Sequence, residues 1–226
     1  RQPRRAVMRP ARTYVAEEGG IFETLSVGCY ALSLRCISPP LTIAIGMKLT
    51  EIIRGSGHGL SLFSDEKIAT LEARIVERKK GSKIALYAPC LVRGREVMLT
   101  PEEVVRQLYL MVLTQDLGYP PARIALEHEV TFGREKKRAD IVIFDQQRPD
   151  APYIIIEVKS PGLKEGKDQL KSYCNAAGAP IGVWSNGQAI SYYNRQMPNY
   201  FVDISNIPRV DQKLSDILSE RWTIDD

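Results

Sequence analysis

The chain has 226 residues, 44% of them hydrophobic and 26% charged, with a formal net charge of +4. That is enough for one sizeable domain, or one domain with an appendage, around a solid core. No apolar run approaches the roughly 20 residues of a bilayer span, so no membrane partner is expected, and the modest positive charge permits a polyanionic partner without requiring one.

Residues 1–46 carry six basic residues, all arginine: Arg1, Arg4, Arg5, Arg9, Arg12 and Arg35. They show no sustained amphipathic period, and Pro39-Pro40 interrupts what pattern there is. A targeting peptide is one reading, and the acidic Glu17, Glu18 and Glu23 argue against it. The favoured expectation is a natural start at Met47, which makes 1–46 a poorly ordered or appended segment of doubtful nativeness. Residues 47–98 form an extension: a helix over 65–77, a turn at Lys79–Ser82, then a hairpin over 83–99 around Arg93-Gly94.

A third region, 99–205, reads as the main core. Thr100 is a natural N-cap, Pro101 fits the first helical position, and Glu103 completes a capping box. Val105, Leu108, Leu110, Met111 and Leu113 keep the helical period until Leu117-Gly118-Tyr119-Pro120. Strands are expected over 123–132, 139–144 and 152–162, with a polar turn at 133–137. A helix over 165–177 follows, then a strand at 180–184. Asn186-Gly187 signals a two-residue hairpin into 188–193. The order is αβββαββ, an α/β (α+β) arrangement with a mixed sheet flanked by helices and a right-handed crossover after the third strand. Residues 206–226 hold a last helix over 211–220, from which the natural chain is expected to continue.

Several chemistries lack their parts. Cys29, Cys36, Cys90 and Cys174 make no C-x-x-C pair, and His58 and His128 complete no zinc pattern. The cysteines read as free thiols of a reducing cytoplasm. Two distant histidines leave a Ser-His-Asp or Cys-His enzyme unsupported. The segment Gly162–Asp168 misses a phosphate-binding G-x-x-x-x-G-K-[ST] loop by one residue and lacks its hydroxyl, so no ATP site is expected.

What remains is PYIIIEVKSPG, 152–162, a strand-forming segment that ends in charge. Glu157 and Lys159 are two positions apart, so they share one face. If the strands at 139–144 and 152–162 are hairpin partners, Asp140 lies opposite Glu157. Two carboxylates and an ammonium would then meet. Magnesium takes one or two protein carboxylates plus water and phosphate oxygens, and such an ion polarises a phosphodiester and acidifies water. The lysine can orient or help deprotonate that water, or stabilise developing charge. An ordinary surface cluster is the competing reading of so short a pattern. Gln169 and Tyr173, spaced i, i+4, share a face of the next helix and offer hydrogen bonds and a stacking surface, or form a plain structural pair. The basic residues Arg134, Lys136, Lys137 and Arg138 precede Asp140, and Lys164, Lys167 and Lys171 follow the E-x-K. They suit a phosphate-binding rim, or are simply solvated faces.

Asp140, Glu157-Val158-Lys159 and Gln169-x-x-x-Tyr173 together resemble the PD-(D/E)xK nuclease superfamily with its Q-x-x-x-Y extension. The segments LTPEEVVRQ (99–107), LGYP (117–120), RADIVIF (138–144), IIIEVKSP (154–161), DQLKSYCNA (168–176) and GVWSNG (182–187) resemble, more narrowly, the N-terminal nuclease domain of type I restriction enzyme R subunits. The likeness spans 99–193 and departs from the family at Ala139, where its name-giving proline would stand. The resemblance implies a restriction-endonuclease-like core and Mg²⁺ (or Mn²⁺) held by Asp140, Glu157 and the Val158 carbonyl. It implies that Lys159 acts on the attacking water, and that Gln169 and Tyr173 support the site or the DNA. It adds an acidic residue from the first core helix, Glu103 ahead of Glu102, with the capping box as Glu103's other explanation; Glu127 and Glu129 rank behind. The activity implied is DNA endonuclease, in a bacterial or archaeal defence system, on double-stranded DNA, with helicase, methylase and specificity parts on other domains or subunits. The rivals are a catalytically silent nuclease-fold module for DNA binding or assembly, and a nuclease acting on RNA or branched DNA.

Overall fold

The computed structural model describes residues 49–53, 59–132 and 134–219. The expectations for 1–46, including Cys29 and Cys36, and for His58 lie outside these. The described residues all belong to one unit, Ile43–Asp226. A short helix α1 (Leu49–Ile52) and α2 (Asp65–Glu72) come first. Ser64 caps α2 by accepting a bond from the Lys67 amide. Three antiparallel strands follow: β1 (Val76–Lys80), β2 (Lys83–Cys90) and β3 (Arg95–Met98).

This corrects the first expected helix. It ends at Glu72, and VERKK is an edge strand paired residue by residue with β2 from Val76–Tyr87 to Lys80–Lys83. Only Val76 is sheltered on β1, so its polar composition suited an exposed edge that neither period could reveal.

Helix α3 (Pro101–Met111) starts where its cap was read, with the Thr100 hydroxyl accepting from the Glu103 amide. The second half of the capping box does not form, because the Glu103 carboxylate turns to Arg106 and Gln107. The helix widens into a π-helical turn, Val112–Asp116, and stops before Gly118.

The main sheet has six strands in sequence order: β4 (Ile124–Phe132), β5 (Glu135–Phe144), β6 (Pro152–Val158), β7 (Ile181–Ser185), β8 (Ile190–Gln196) and β9 (Tyr200–Ile204). Only β6 and β7 are parallel, joined by the crossover helix α4 (Lys167–Ala177). The expected αβββαββ order therefore gains a strand and becomes αβββαβββ. The added β9, YFVDI, is short and half exposed, which left little pattern to read. The polar turn at 133–137 is shorter than expected: Lys136, Lys137 and Arg138 lie on β5, paired with Thr131, Val130 and Glu129. The Asn186-Gly187 hairpin is a four-residue loop, since Ser185 pairs with Ile190. The Asn186 side-chain oxygen accepts from the amides of Gln188 and Ala189 and so absorbs the two extra residues. A last helix, α5 (Leu214–Ser219), buries Ile217.

Strand β6 explains the core. Ile154, Ile155, Ile156 and Val158 are all completely buried. Ile154, Ile156 and Val158 face one cluster, with Val104, Val105 and Leu108 of α3 and with Leu60, Phe63, Ala88 and Val97 from the earlier segment. Ile155 faces the other, with Leu170, Tyr173 and Cys174 of α4. A strand covered on both sides reads as a continuous apolar run, as this one does.

Candidate active site

Register brings the two acids together. Ile141 pairs with Ile156 across β5 and β6, and Asp140 and Glu157 are the next residue on each strand, close enough for the Asp140 charge to act on Glu157. Asp140 is held at both oxygens. Its Oδ2 accepts from the Val158 amide at 2.8 Å and its Oδ1 from Arg106 Nη2 at 2.7 Å.

Glu157 is 1% exposed. Its Oε1 accepts from Lys159 Nζ at 2.5 Å, and its Oε2 is buried with no hydrogen-bond partner. Burial first, and then the Asp140 charge, push its carboxyl up to about 7, against the pull of Lys159. Burial works against the Lys159 charge, but Glu157 and Asp140 outweigh it and raise the ammonium's pKa, so Lys159 keeps its proton at neutral pH.

Lys159 is pressed between the sheet and the start of α4. The cap residue of α4, Gly166, has φ 101°, and a Cβ there would stand 2.6 Å from Lys159 Cε and 3.5 Å from Glu157 Cγ. Only glycine combines that backbone with that contact. Trp184 locks the same loop by donating its indole N–H to the Glu165 carbonyl at 2.7 Å.

The helix α3 supplies the missing half of the site. Arg106 is 5% exposed and meets three carboxylates. Its Nη1 donates to Glu103 Oε2, and its Nη2 to Glu102 at 3.1 Å and Asp140 at 2.7 Å. Glu103 also accepts from Gln107 at 2.7 Å and lies 3.5 Å from Arg93, which pairs with Glu127 at 3.2 Å. Glu127 adopts φ 51°, the left-handed region, between Leu126 and His128, the residues that pair with Ile141 and Ala139 on either side of Asp140. Glu103 and Glu127 thus join the network around Asp140 through Arg106 and Arg93. Glu129 does not: it pairs with Lys136 at 2.7 Å on the exposed surface.

Sequence reasoning missed Arg106 and Arg93. At i+3 and i+4 from two glutamates, Arg106 looked like an ordinary surface pair; its signal was the apolar flank of Val104, Val105 and Leu108.

Gln169 and Tyr173 do meet, Nε2 donating to the phenol oxygen at 2.5 Å. Tyr173 joins the core side of α4. It is buried with Leu170 and Cys174 and packs on Phe132, ring centroids 5.5 Å apart. Its phenol still feels Glu157, Asp140 and Lys159, and burial foremost raises its pKa.

Of the basic residues, Lys137 lies over Phe132 at 5.7 Å, Lys167 over Trp184 at 5.0 Å, and Lys171 over Tyr193 at 5.0 Å. These three are fixed on aromatic supports around α4. Arg134, Arg138 and Lys164 are exposed, and Lys136 is tied to Glu129.

The donor set suits a hard divalent cation. The orphaned Glu157 Oε2 and the raised carboxyl both mark a place where positive charge is short. Among the described residues no three His, Cys, Asp or Glu side chains form a ready metal cluster. An ion here would take two carboxylates and complete its shell with carbonyl, water or phosphate oxygens, the magnesium pattern.

No curated protein matches the chain. A solved structure described as a fragment of an HsdR subunit of a type I restriction enzyme from Vibrio vulnificus is similar at 22% identity and a TM-score of 0.39, covering 55% of this chain and 25% of that one. The present chain therefore spans about a quarter of that protein chain. No helix among the described residues is long and apolar enough to cross a membrane. Residues 101–208, from the first turn of α3 to just beyond β9, match the family described as the type I restriction enzyme R protein N terminus, which supports the type I R-subunit resemblance.

Proposed function

We propose that this chain carries the Mg²⁺-dependent DNA endonuclease domain of a type I restriction R-subunit-like protein, built on a PD-(D/E)xK, restriction-endonuclease-like core. The observation that carries this is the buried Glu157 with one oxygen unpartnered, within reach of the Asp140 charge and bonded to Lys159. A fold without chemistry there gains nothing from a carboxylate at 1% exposure.

Asp140 and Glu157, with the Val158 carbonyl, would hold the ion. When bound, it supplies charge for the phosphoryl oxygens and a more acidic water. The protein's own groups do the rest. Lys159 enters as an ammonium, so it orients the attacking water or donates to a phosphate oxygen rather than accepting a proton. Glu103 holds Arg106, which bonds Asp140, and Glu127 holds Arg93, which also meets Glu103. Gln169 and Tyr173 brace α4 against the site. Lys137, Lys167 and Lys171, held over their rings, with Arg134, Lys136, Arg138 and Lys164, receive the DNA backbone. Sequence recognition and translocation fall to other domains or subunits.

The test is plasmid nicking with Mg²⁺ against EDTA, wild type beside Asp140→Ala and Lys159→Ala, each first checked for folding. We expect a loss of about 100-fold or more in either variant. Variants as active as wild type overturn the proposal. Metal-independent DNA binding that survives Asp140→Ala without cleavage would favour the silent module, and RNA and branched DNA belong on the same substrate panel.

A further inference from the structure

Arg106 has an arrangement that neither packing nor a plain ion pair explains. It is buried, yet its Nε has no acceptor. Its two amino groups are used unequally. Nη1 is committed to the buried Glu103, while Nη2 is shared between Asp140 and Glu102. The Glu102 side chain is 38% exposed and can follow the guanidinium; that of Asp140, 14% exposed, is fixed by the Val158 amide. One nitrogen thus bridges an acid of the candidate metal site and an acid outside it.

We infer that Arg106 is the site's resident counter-ion: it holds Asp140 while no divalent cation is bound and transfers that hydrogen bond to Glu102 when one arrives. This rests on the reading of Asp140 and Glu157 as cation ligands. Two carboxylates that feel each other's charge, one buried and one 14% exposed, need positive partners. Lys159 serves Glu157, and Arg106 serves Asp140. An incoming dication makes Arg106 redundant at Asp140 and repels it. The retained Glu103 bond keeps the guanidinium in place through the exchange, and Glu102 keeps Nη2 satisfied. Arg106 and the cation therefore compete for one oxygen, and Glu102 decides how readily Arg106 yields.

The competition is measured as Mn²⁺ affinity of the full chain, by calorimetry or by the resonance signal of free Mn²⁺, with no turnover required. Arg106→Gln is expected to bind Mn²⁺ at least about tenfold more tightly than wild type, because a competing charge is gone. Glu102→Gln is expected to bind it several-fold more weakly, because Arg106 then stays on Asp140, and to have no such effect in the Arg106→Gln background. Affinity in Arg106→Gln that is unchanged or weaker overturns the inference, as does a Glu102→Gln effect equal in both backgrounds. If Arg106→Gln does not fold, Glu102→Gln decides alone against Glu96→Gln, a control acid on the three-stranded sheet. Weaker binding than that control supports the exchange, and equal binding overturns it. Wild type that binds no Mn²⁺ overturns the proposed function itself, whereas wild type that binds while Arg106→Gln gains nothing overturns only this inference.

Discussion

The two sheets use charge in opposite ways. On the three-stranded sheet Arg78 and Glu96 make a two-pronged pair, 2.8 and 3.1 Å, at 56% and 40% exposure. On the six-stranded sheet Arg106 meets Asp140 at a similar 2.7 Å, but at 6% and 14% exposure. Near-equal distances describe different physics. Water screens the first pair, and either partner can be lost to solvent without penalty. The second has no water to fall back on, so removing one partner strands a charge. Near-equal bonds therefore carry structural weight only where water is excluded, as it is around Arg106 and not around Arg78.

The comparison is broken most severely at β6. Ile155→Ala empties a completely buried position between α4 and the sheet and should cost about 2–5 kcal/mol, read as a lower urea midpoint. A loss below 1 kcal/mol would show that β6 is not the shared floor of both clusters.

Next is Glu157. Its folded carboxyl, at about 7, lies above its unfolded value near 4.5, so the native state binds the extra proton between those two values. Stability from this group is full below about pH 4.5 and is lost as pH rises through about 7. Glu157→Gln should therefore stabilise the metal-free protein by up to about 3 kcal/mol at pH 8 and by little at pH 5. Melting in EDTA at both values tests this, and equal effects at both would break the account of Glu157 as a buried acid whose burial Lys159 only partly offsets.

The smallest effect is expected at Glu96→Gln, which should leave the melting temperature unchanged within error. A clear drop there would erase the contrast between the sheets.

How much of this was legible follows the same line between covered and exposed. The run IIIEV, the Thr100-Pro101 cap and the Pro-Gly stop after β6 are strong local signals, and they placed the crossover and the acid pair. Strand β1 was invisible because VERKK buries nothing on its outer face and suits helix and edge equally. Strand β9 was missed for want of apolar alternation. The nearness of Asp140, Glu157 and Lys159 was readable from residue type and spacing. Arg106 was not, because its role comes from a tertiary contact 34 residues away rather than from its neighbours. The burial of Tyr173 was hidden for a related reason. Its ring finds Phe132 on β4, a partner that no helical wheel contains.

Gly166 has a mechanical consequence. With 2.6 Å between a would-be Cβ and Lys159 Cε, the first turn of α4 and the lysine have no slack between them. Lys167 and Lys171 sit on that same helix. A side chain at position 166 would have to displace either the Lys159 stem or the first turn of the helix that carries those two lysines.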